Sequence, residues 1–296
     1  MVMGYTIVDL SPTLVKIVKF LLNNKNLNIL IWVTKPSENN LFRWICNIKV
    51  TDPTINRDYR GTGGSNQLSF AFLKSFGEVC ETIAMYENRF SSRCGMAAGF
   101  LSESSILRAK SELIERDAFV YHYRNEIPFT SKASLDNGLQ SFNMATADQN
   151  FPTFLVTDEA TVAGKAKCLQ FGCGTSFKNT QDAEYKAIQE FLNIFLNHKN
   201  FPDQCENWWT HPEEIPTKMD FHHIQSRDKR NLDRFNTLFD TKAHLRSEID
   251  QTKWVVNEVQ SPAKFFKVYK ASHPDLLKLE FGIPEPNTLD LFHPFW

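Results

Sequence analysis

The chain has 296 residues, and its 33 Lys and Arg nearly balance 34 Asp and Glu, leaving a formal charge of −1. A protein with this balance has no overall field to attract nucleic acid or an anionic membrane, so neither partner is expected. The six cysteines include no Cys-x-x-Cys pair, and Asp9, Lys16 and Lys19 interrupt the apolar residues near the N-terminus. We therefore expect reduced thiols, no signal peptide and a cytoplasmic, non-membrane protein.

Hydrophobic spacing and turn residues predict helices mixed with strands, the pattern of an α+β fold. The predicted helices cover residues 11–22, 68–87, 103–124 and 181–197, and a weak helix follows residue 138. The predicted strands cover residues 27–33, 41–50, 253–259 and 265–271, with two more inside 153–176. The segment 55–67, which contains several Gly and Arg residues, is predicted to be a loop.

The domain organisation follows from what the sequence lacks. No internal repeat of fixed period and no low-complexity linker divides the chain. We therefore predict a single domain over residues 1–296. Residues 1–55 would form an N-terminal helix and strand segment, and residues 284–296 an extended, Pro-containing C-terminal tail.

Three predicted helices share one design, in which acidic residues lie one turn apart on a polar face opposite an apolar face. The acids are Glu78 and Glu81 in the first helix, Glu112 and Glu115 in the second, and Glu190 in the third. Acidic faces of this kind are most often simply solvated. Each of these helices, however, follows a stretch rich in Gly or Ala: "GTGG" at 61–64, "CGMAAG" at 94–99 and "FGCG" at 171–174.

Gly-rich stretches before helices allow close backbone approach and expose N–H groups, which is how many proteins bind phosphate. Five carboxylates gathered in one place would repel one another unless cations neutralise them. Mg²⁺ fits this need because it binds carboxylates and nucleotide phosphates together. The spacing indicates an ATP·Mg²⁺ site without a Walker-type loop, with solvated helix faces as the alternative.

The segment "RCGMAAGFLSESSILRAKSELIERDAF" at 93–119 resembles the central signature of the YcaO family, in which Gly-x-Ala-Ala-Gly precedes Glu-x-x-Glu-Arg-Asp-Ala. Residues 63–82 and 171–193 resemble the first and third acidic helices of that family, and "FHPFW" at 292–296 resembles its proline-rich tail. The resemblance implies a YcaO-like fold, a mixed β-sheet flanked by acidic helices that form an ATP·Mg²⁺ site.

The resemblance also implies roles for individual residues. The implied Mg²⁺ ligands are Glu78, Glu81, Glu112, Glu115 and Glu190. The residues implied to contact ATP are Arg116, Lys186, Gly95 and Asn193. Thr82 stands where the family has an arginine, and Arg57 or Arg60 could supply the missing guanidinium. The α-carboxylate of Trp296, at the end of the tail, would accept a proton during catalysis.

Typical members of the family act on a peptide in which a Cys, Ser or Thr side chain attacks the preceding carbonyl carbon. The resulting oxyanion takes the γ-phosphoryl group of ATP, and loss of phosphate leaves an azoline ring. The resemblance therefore implies a cyclodehydratase of ribosomal peptide natural-product biosynthesis. The alternatives are thioamide or amidine formation, ATP-dependent amide cleavage, and a catalytically inactive scaffold subunit.

The connection between the first and second acidic helices is much shorter here than in typical family members. We therefore expect that substrate-binding structure is supplied by a partner protein of the E1-like or leader-binding kind, which would recruit the precursor peptide. A dehydrogenase partner and a homodimer are also compatible with the resemblance.

Overall fold

The computed structural model describes residues 12–24, 26–35, 44–90, 92–135, 138–166, 168–199, 229–240, 242 and 244–277. The chain divides into two compact units. The first unit comprises Met1–Phe90, Ala97–Ser105 and Glu258–Tyr269, and the second comprises Ser91–Met96, Ile106–Asn257 and Lys270–Trp296. The predicted tail at 284–296 lies outside the described residues, and the single domain stays a prediction.

Helices alternate with mostly antiparallel strands in the described chain. The helices are α1 (Pro12–Asn23), α2 (Leu68–Glu87), α3 (Ser102–Asn125), α4 (Glu159–Val162), α5 (Thr180–Lys199) and α6 (Lys229–Asn236). The strands are β1 (Asn28–Thr34), β2 (Trp44–Asp52), β3 (Arg57–Ser65), β4 (Met96–Gly99), β5 (Phe129–Ser134), β6 (Leu139–Met144), β7 (Thr153–Asp158), β8 (Phe171–Thr175), β9 (Phe239–Asp240), β10 (Val255–Val259) and β11 (Lys267–Ser272). Within the described ranges, no helix is long and apolar enough to cross a membrane.

The first unit contains the antiparallel sheet β1-β2-β3, and α2 packs directly on β3. Two glycines make this close packing possible, because no side chain would fit between strand and helix. A Cβ atom at Gly61 would lie 2.1 Å from the carbonyl oxygen of Ser75, and one at Gly63 would lie 2.1 Å from that of Ala71. The glycines of "GTGG" therefore set the height of α2 above the sheet.

The second unit contains the sheet β8-β7-β6-β5-β9, in which β5 pairs with β9 in parallel and the other neighbours are antiparallel. Helix α5 packs on β8 in the same way as α2 packs on β3. A Cβ atom at Gly172 would lie 2.1 Å from the backbone nitrogen of Phe191, and one at Gly174 would lie 2.2 Å from that of Ala187. A third sheet has the order β10-β11-β4.

A lysine links each of these two helices to the end of its strand. Lys74 Nζ on α2 donates a hydrogen bond to the carbonyl oxygen of Gly64 at 3.1 Å. Lys186 Nζ on α5 donates to the carbonyl oxygen of Thr175 at 3.0 Å. Each ammonium group thus satisfies a carbonyl near the point where the chain leaves its strand.

The core of the second unit is aromatic and is centred on α3. Phe119 on α3 stacks on Phe171 of β8 with ring centroids 5.0 Å apart. Phe171 in turn stacks on Phe235 of α6 at 5.1 Å, and Phe129 of β5 lies 6.2 Å from Phe119. All four side chains are almost fully buried, so this cluster joins α3 to the five-stranded sheet.

Asp117 fixes α3 to two later segments of the second unit. Its carboxylate is fully buried and accepts two hydrogen bonds from the guanidinium of Arg246, one of them at 3.0 Å from Nη2. It also accepts the backbone N–H of Leu277 at 2.8 Å. Arg246 stacks on Tyr121, with its guanidinium carbon 4.2 Å from the ring centroid. These partners offset part of the cost of burying the charge of Asp117, whose pKa burial still raises.

The long helices and the predicted strands agree with the sequence-based predictions, but other segments differ. Strands β4, β5 and β9 were not predicted. The predicted loop at 55–67 contains β3, and the predicted weak helix after residue 138 is β6, whose side chains largely alternate between more and less buried positions. Helix α6 at 229–236 was not predicted. The glycines of β3 and of β8 were expected in exposed phosphate-binding turns, and this expectation is wrong because they are packed under α2 and α5.

We expect Gly172→Ala to destabilise the protein by about 3 kcal/mol or more, because the new methyl group would meet helix backbone that cannot move aside locally. Urea unfolding followed by circular dichroism would measure this change. The matched control is Gly138→Ala, where φ is +72° but no atom lies within 4 Å of the added Cβ. That variant should lose only about 1 kcal/mol, from the left-handed backbone. Equal losses in both variants would contradict the close packing of α5 on β8.

Candidate active site

Four of the residues predicted to bind ATP or Mg²⁺ come together in the second unit. Glu112 lies about one turn before Glu115 and Arg116 on α3, and Glu190 approaches them from α5. Arg116 Nη1 lies 3.8 Å from Glu115 Oε1, and the two side chains are 18% and 15% exposed. Both side chains are therefore mostly buried but keep some contact with solvent.

Burial makes these charges costly in the ligand-free protein. Burial raises the pKa of Glu112 to about 7, although Arg116 acts in the opposite direction. Burial likewise raises the pKa of Glu115 to about 7, and repulsion from Glu190 adds to the effect. Burial lowers the pKa of Arg116, but Glu115, Glu112 and Glu190 outweigh it and the net pKa is raised. A bound cation would stabilise the ionised carboxylates.

Two basic residues that the sequence did not point to also lie near Glu112. Both Arg93 and Lys270 lower the pKa of Glu112 through their positive charge. Lys270 Nζ on β11 donates hydrogen bonds to the carbonyl oxygens of Ser92, at 3.2 Å, and of Cys94. Arg93 begins the segment that resembles the family signature, but nothing in the sequence connected Lys270 with that segment.

Lys186 and Gly95, both predicted to contact ATP, have local structural partners. Lys186 Nζ lies 3.3 Å from Asp182 Oδ2 and also binds the carbonyl oxygen of Thr175. Its positive charge lowers the pKa of Glu115, but the larger effect of burial raises it. Gly95 has φ +74°, and a Cβ atom at this position would lie 2.6 Å from the carbonyl oxygen of Ala271. Lys186 therefore lies at the edge of the acidic cluster, which we define as Glu112, Glu115 and Glu190 around Arg116. Gly95 shapes the turn before β4.

In the first unit, Glu78 and Glu81 each accept a backbone N–H. Glu78 Oε2 accepts from Thr62 of β3 at 3.0 Å, and Glu81 Oε1 accepts from Ala98 of β4 at 2.8 Å. These bonds fix the orientation of both carboxylates, as is usual for metal-binding carboxylates.

The arginines proposed to replace the missing guanidinium have other partners in the first unit. Arg60 is 70% exposed and pairs with Asp58 at 3.4 Å. Arg57 stacks on Tyr86 with its guanidinium carbon 4.2 Å from the ring centroid. A phosphate role for Arg60 stays a prediction. The side chain of Asn193 and all of Trp296 lie outside the described residues.

The carboxylates of the second unit can serve as Mg²⁺ ligands. In the described part of the chain, no three His, Cys, Asp or Glu side chains form a ready-made metal site. Mg²⁺ bound with a nucleotide does not require one, because it commonly uses one or two carboxylates, phosphate oxygens and water. Glu112, Glu115 and Glu190 supply carboxylate oxygens and buried negative charge. They therefore fit Mg²⁺ bound to a nucleotide.

Comparison with known proteins decides the family. A family model described as YcaO cyclodehydratase, ATP- and Mg²⁺-binding, matches residues 84–277. The chain belongs to the YcaO family. The matched span contains Glu112, Glu115, Arg116 and Glu190, and ATP and Mg²⁺ are confirmed as the cofactors of this family. Among curated proteins, none matches the sequence.

Solved structures confirm the α+β, YcaO-like fold. YcaO from Methanopyrus kandleri, bound with AMPPCP and Mg²⁺, matches 93% of this chain and 94% of its own, with a TM-score of 0.61 and 11% identity. A heterocyclase in complex with substrate and cofactor matches 88% of this chain and 52% of its own, with a TM-score of 0.58 and 14% identity. The E. coli microcin synthetase McbBCD complex matches 83% and 88%, with a TM-score of 0.53 and 10% identity.

We expect Glu115→Gln to stabilise the metal-free YcaO protein by about 1–3 kcal/mol at about pH 8. The folded state raises the pKa of Glu115 from 4.5 to about 7, so the folded protein binds this proton more tightly than the unfolded chain. Stability is therefore highest below the unfolded pKa and is lost as pH rises through 7. Glutamine carries no charge and avoids this loss.

Urea unfolding in EDTA at about pH 5 and about pH 8 would test this expectation. The difference in the free energy of unfolding between Glu115→Gln and the native protein should be larger at the higher pH. The control is Glu248→Gln, which removes an exposed carboxylate from a loop of the second unit and should change little. A loss of stability in Glu115→Gln at the higher pH would mean that the contact with Arg116 outweighs burial and repulsion.

Proposed function

We propose that this YcaO protein is an ATP-dependent enzyme that modifies a backbone amide of a peptide. The observation that carries the proposal is the acidic cluster, in which Arg116 is surrounded by Glu112, Glu115 and Glu190 from two helices. A solvated helix face would not raise the pKa of two neighbouring carboxylates to about 7 by burial. The cyclodehydratase description of the family supports the same class of reaction.

In the proposed site, Glu112, Glu115 and Glu190 hold Mg²⁺, and Arg116 and Lys186 bind phosphate oxygens. Glu78 and Glu81 of the first unit are also proposed to bind Mg²⁺, and the hydrogen bonds that fix their orientation support that role. ATP·Mg²⁺ would supply a γ-phosphoryl group that turns an amide oxygen into a leaving group. The residues of the chain would then act mainly by positioning the reactants and by stabilising the negative charge of the transferred group.

The reaction proposed for this site is cyclodehydration of a Cys, Ser or Thr residue to an azoline. The side-chain oxygen or sulfur attacks the preceding carbonyl carbon and loses its proton, and the carbonyl oxygen takes up the γ-phosphoryl group with release of ADP. Phosphate then leaves with that oxygen as the amide nitrogen loses its proton, which forms the C=N bond of the azoline. The α-carboxylate of Trp296 is proposed to accept the proton. Thioamide or amidine formation and amide cleavage would begin with the same activated amide.

We also propose that a second protein delivers the peptide. The short connection between the first and second acidic helices supports this, because it leaves less chain for substrate binding than in typical members. One structural neighbour is a multisubunit microcin synthetase and another is a heterocyclase bound to its substrate. A leader-binding protein is the partner that fits this need, with a dehydrogenase as a further member of the complex.

We expect ATP with Mg²⁺ at 100 times the dissociation constant to stabilise the native protein by about 2.7 kcal/mol. The rise in thermal midpoint should require both components and should disappear in Glu115→Gln and in Glu190→Gln. Glu184→Gln is the matched control, because Glu184 lies on α5 like Glu190 but accepts a hydrogen bond from Ser141 at 2.5 Å. An unchanged midpoint in the native protein would count against the proposed site.

We expect loss of one water per modified residue when the protein and its partner act on a Cys-, Ser- or Thr-containing precursor peptide, as read by mass spectrometry. Deleting "FHPFW" at 292–296 should abolish the water loss yet leave stabilisation by ATP·Mg²⁺ intact, because the proposed proton acceptor is removed and the ligands remain. Oxygen-for-sulfur exchange or two peptide fragments would indicate the other amide chemistries. An unmodified but bound peptide would indicate a scaffold subunit.

A further inference from the structure

The turn that carries Arg93 is held rigidly against α3. The backbone N–H of Met96 donates to the carbonyl oxygen of Arg93 at 2.8 Å, which closes a four-residue turn with Gly95 in its third position. Gly95 has the left-handed φ that such a turn requires. A Cβ atom at Gly95 would lie 3.4 Å from the Cβ of Leu113, the residue after Glu112. The turn therefore packs against α3 at Leu113, the buried residue that follows Glu112.

Lys270 fixes the same turn from its other side. Its ammonium group binds the carbonyl oxygens of Ser92 and Cys94, the two residues that flank Arg93. The neighbouring residue Ala271 donates its N–H to the carbonyl oxygen of Gly95 at 2.8 Å. The backbone is thus held on both sides of Arg93, whose positive charge acts on Glu112.

The charges in this region compete for one carboxylate. Arg116, Arg93 and Lys270 all act favourably on ionised Glu112 in the ligand-free protein. A divalent cation that binds Glu112 meets the repulsion of these three positive charges, and that repulsion is strong in a partly buried site. A nucleotide changes the balance, because its phosphate oxygens are better partners for a guanidinium than a shared carboxylate is.

We propose that Arg93 couples metal binding to nucleotide binding: it neutralises Glu112 when the site is empty and pairs with a phosphate group when ATP·Mg²⁺ is bound. Mg²⁺ alone then binds weakly, and Mg²⁺ with ATP binds well. The inference rests on the proposed function, since it takes the acidic cluster as the nucleotide site. It adds a residue that discriminates free Mg²⁺ from the ATP·Mg²⁺ complex.

The test is to remove the charge of Arg93 and to measure two affinities that should move in opposite directions. Arg93→Gln should bind Mn²⁺ about five-fold more tightly in the absence of nucleotide, because one competing cation is gone. The same variant should bind ATP·Mg²⁺ about ten-fold more weakly, because a charge-assisted contact with phosphate is lost. Electron paramagnetic resonance of free Mn²⁺ and isothermal titration calorimetry with ATP·Mg²⁺ measure the two quantities.

The Mn²⁺ titration is best made at about pH 8.5, above the pKa of about 7 for Glu112, so that protons do not compete with the metal. Arg93→Lys retains the charge but not the planar pair of donors, so it should keep the native Mn²⁺ affinity and lose part of the ATP·Mg²⁺ affinity. Arg234→Gln is the matched control. Arg234 stacks on Tyr123 of α3, eleven residues and roughly 16 Å along the helix from Glu112, so both affinities should stay native.

The outcomes separate this inference from the proposed function. Weaker binding of both ligands by Arg93→Gln would assign the arginine a structural role, and unchanged binding of both would assign it none; either result overturns the inference. If the native protein binds ATP·Mg²⁺ but Arg93→Gln shows no gain for Mn²⁺, the inference fails while the proposed function stands. If the native protein binds no ATP·Mg²⁺, the proposed function fails first.

Discussion

The contact of a helix backbone with a glycine-containing strand is the constraint on which the acidic site depends. Gly172 and Gly174 let α5 rest on β8 without intervening side chains. Glu190 lies one turn beyond Ala187, which touches Gly174, and this height brings its carboxylate near Glu115 and Arg116. Larger residues in β8 would lift the helix and move Glu190 away from both. The site is therefore positioned by packing in the strand rather than by the acidic residues themselves.

The carboxylates of the acidic cluster, which would bind a cation, lower the stability of the folded protein when no cation is present. Three carboxylates around one guanidinium leave negative charge that burial makes unfavourable, as the raised pKa of Glu112 and Glu115 indicates. This unfavourable charge lowers the stability of the empty protein, and a bound cation would restore that stability by neutralising the charge. Burial also raises the pKa of Asp117, only one residue from Arg116, but its carboxylate is held by Arg246 and the N–H of Leu277, which act against the effect of burial. Neighbouring acids on one helix thus belong to separate electrostatic environments.

The sequence was sufficient to predict the long amphipathic helices and the acids of α3, because helical periodicity places side chains on faces without knowledge of the fold. It was insufficient for the glycines, since the same residue serves a phosphate-binding turn and a strand packed under a helix. The strand β6 was mistaken for a helix because its alternation spans only residues 139–144. Lys270 could not be predicted near Arg93, because 176 residues separate it from Cys94 and only the tertiary fold joins them.

The paired lysine links have a consequence for how the chain tolerates change in length. Helices α2 and α5 carry the same order of residues: Ala71, Lys74 and Glu78 in one, and Ala183, Lys186 and Glu190 in the other. In each, the alanine touches a strand glycine, the lysine binds the end of that strand and the glutamate follows one turn later. Insertions and deletions are therefore best tolerated in loops outside the two strand–helix modules and outside α3. Within either module, the loss of one residue would turn its glutamate away from its present direction.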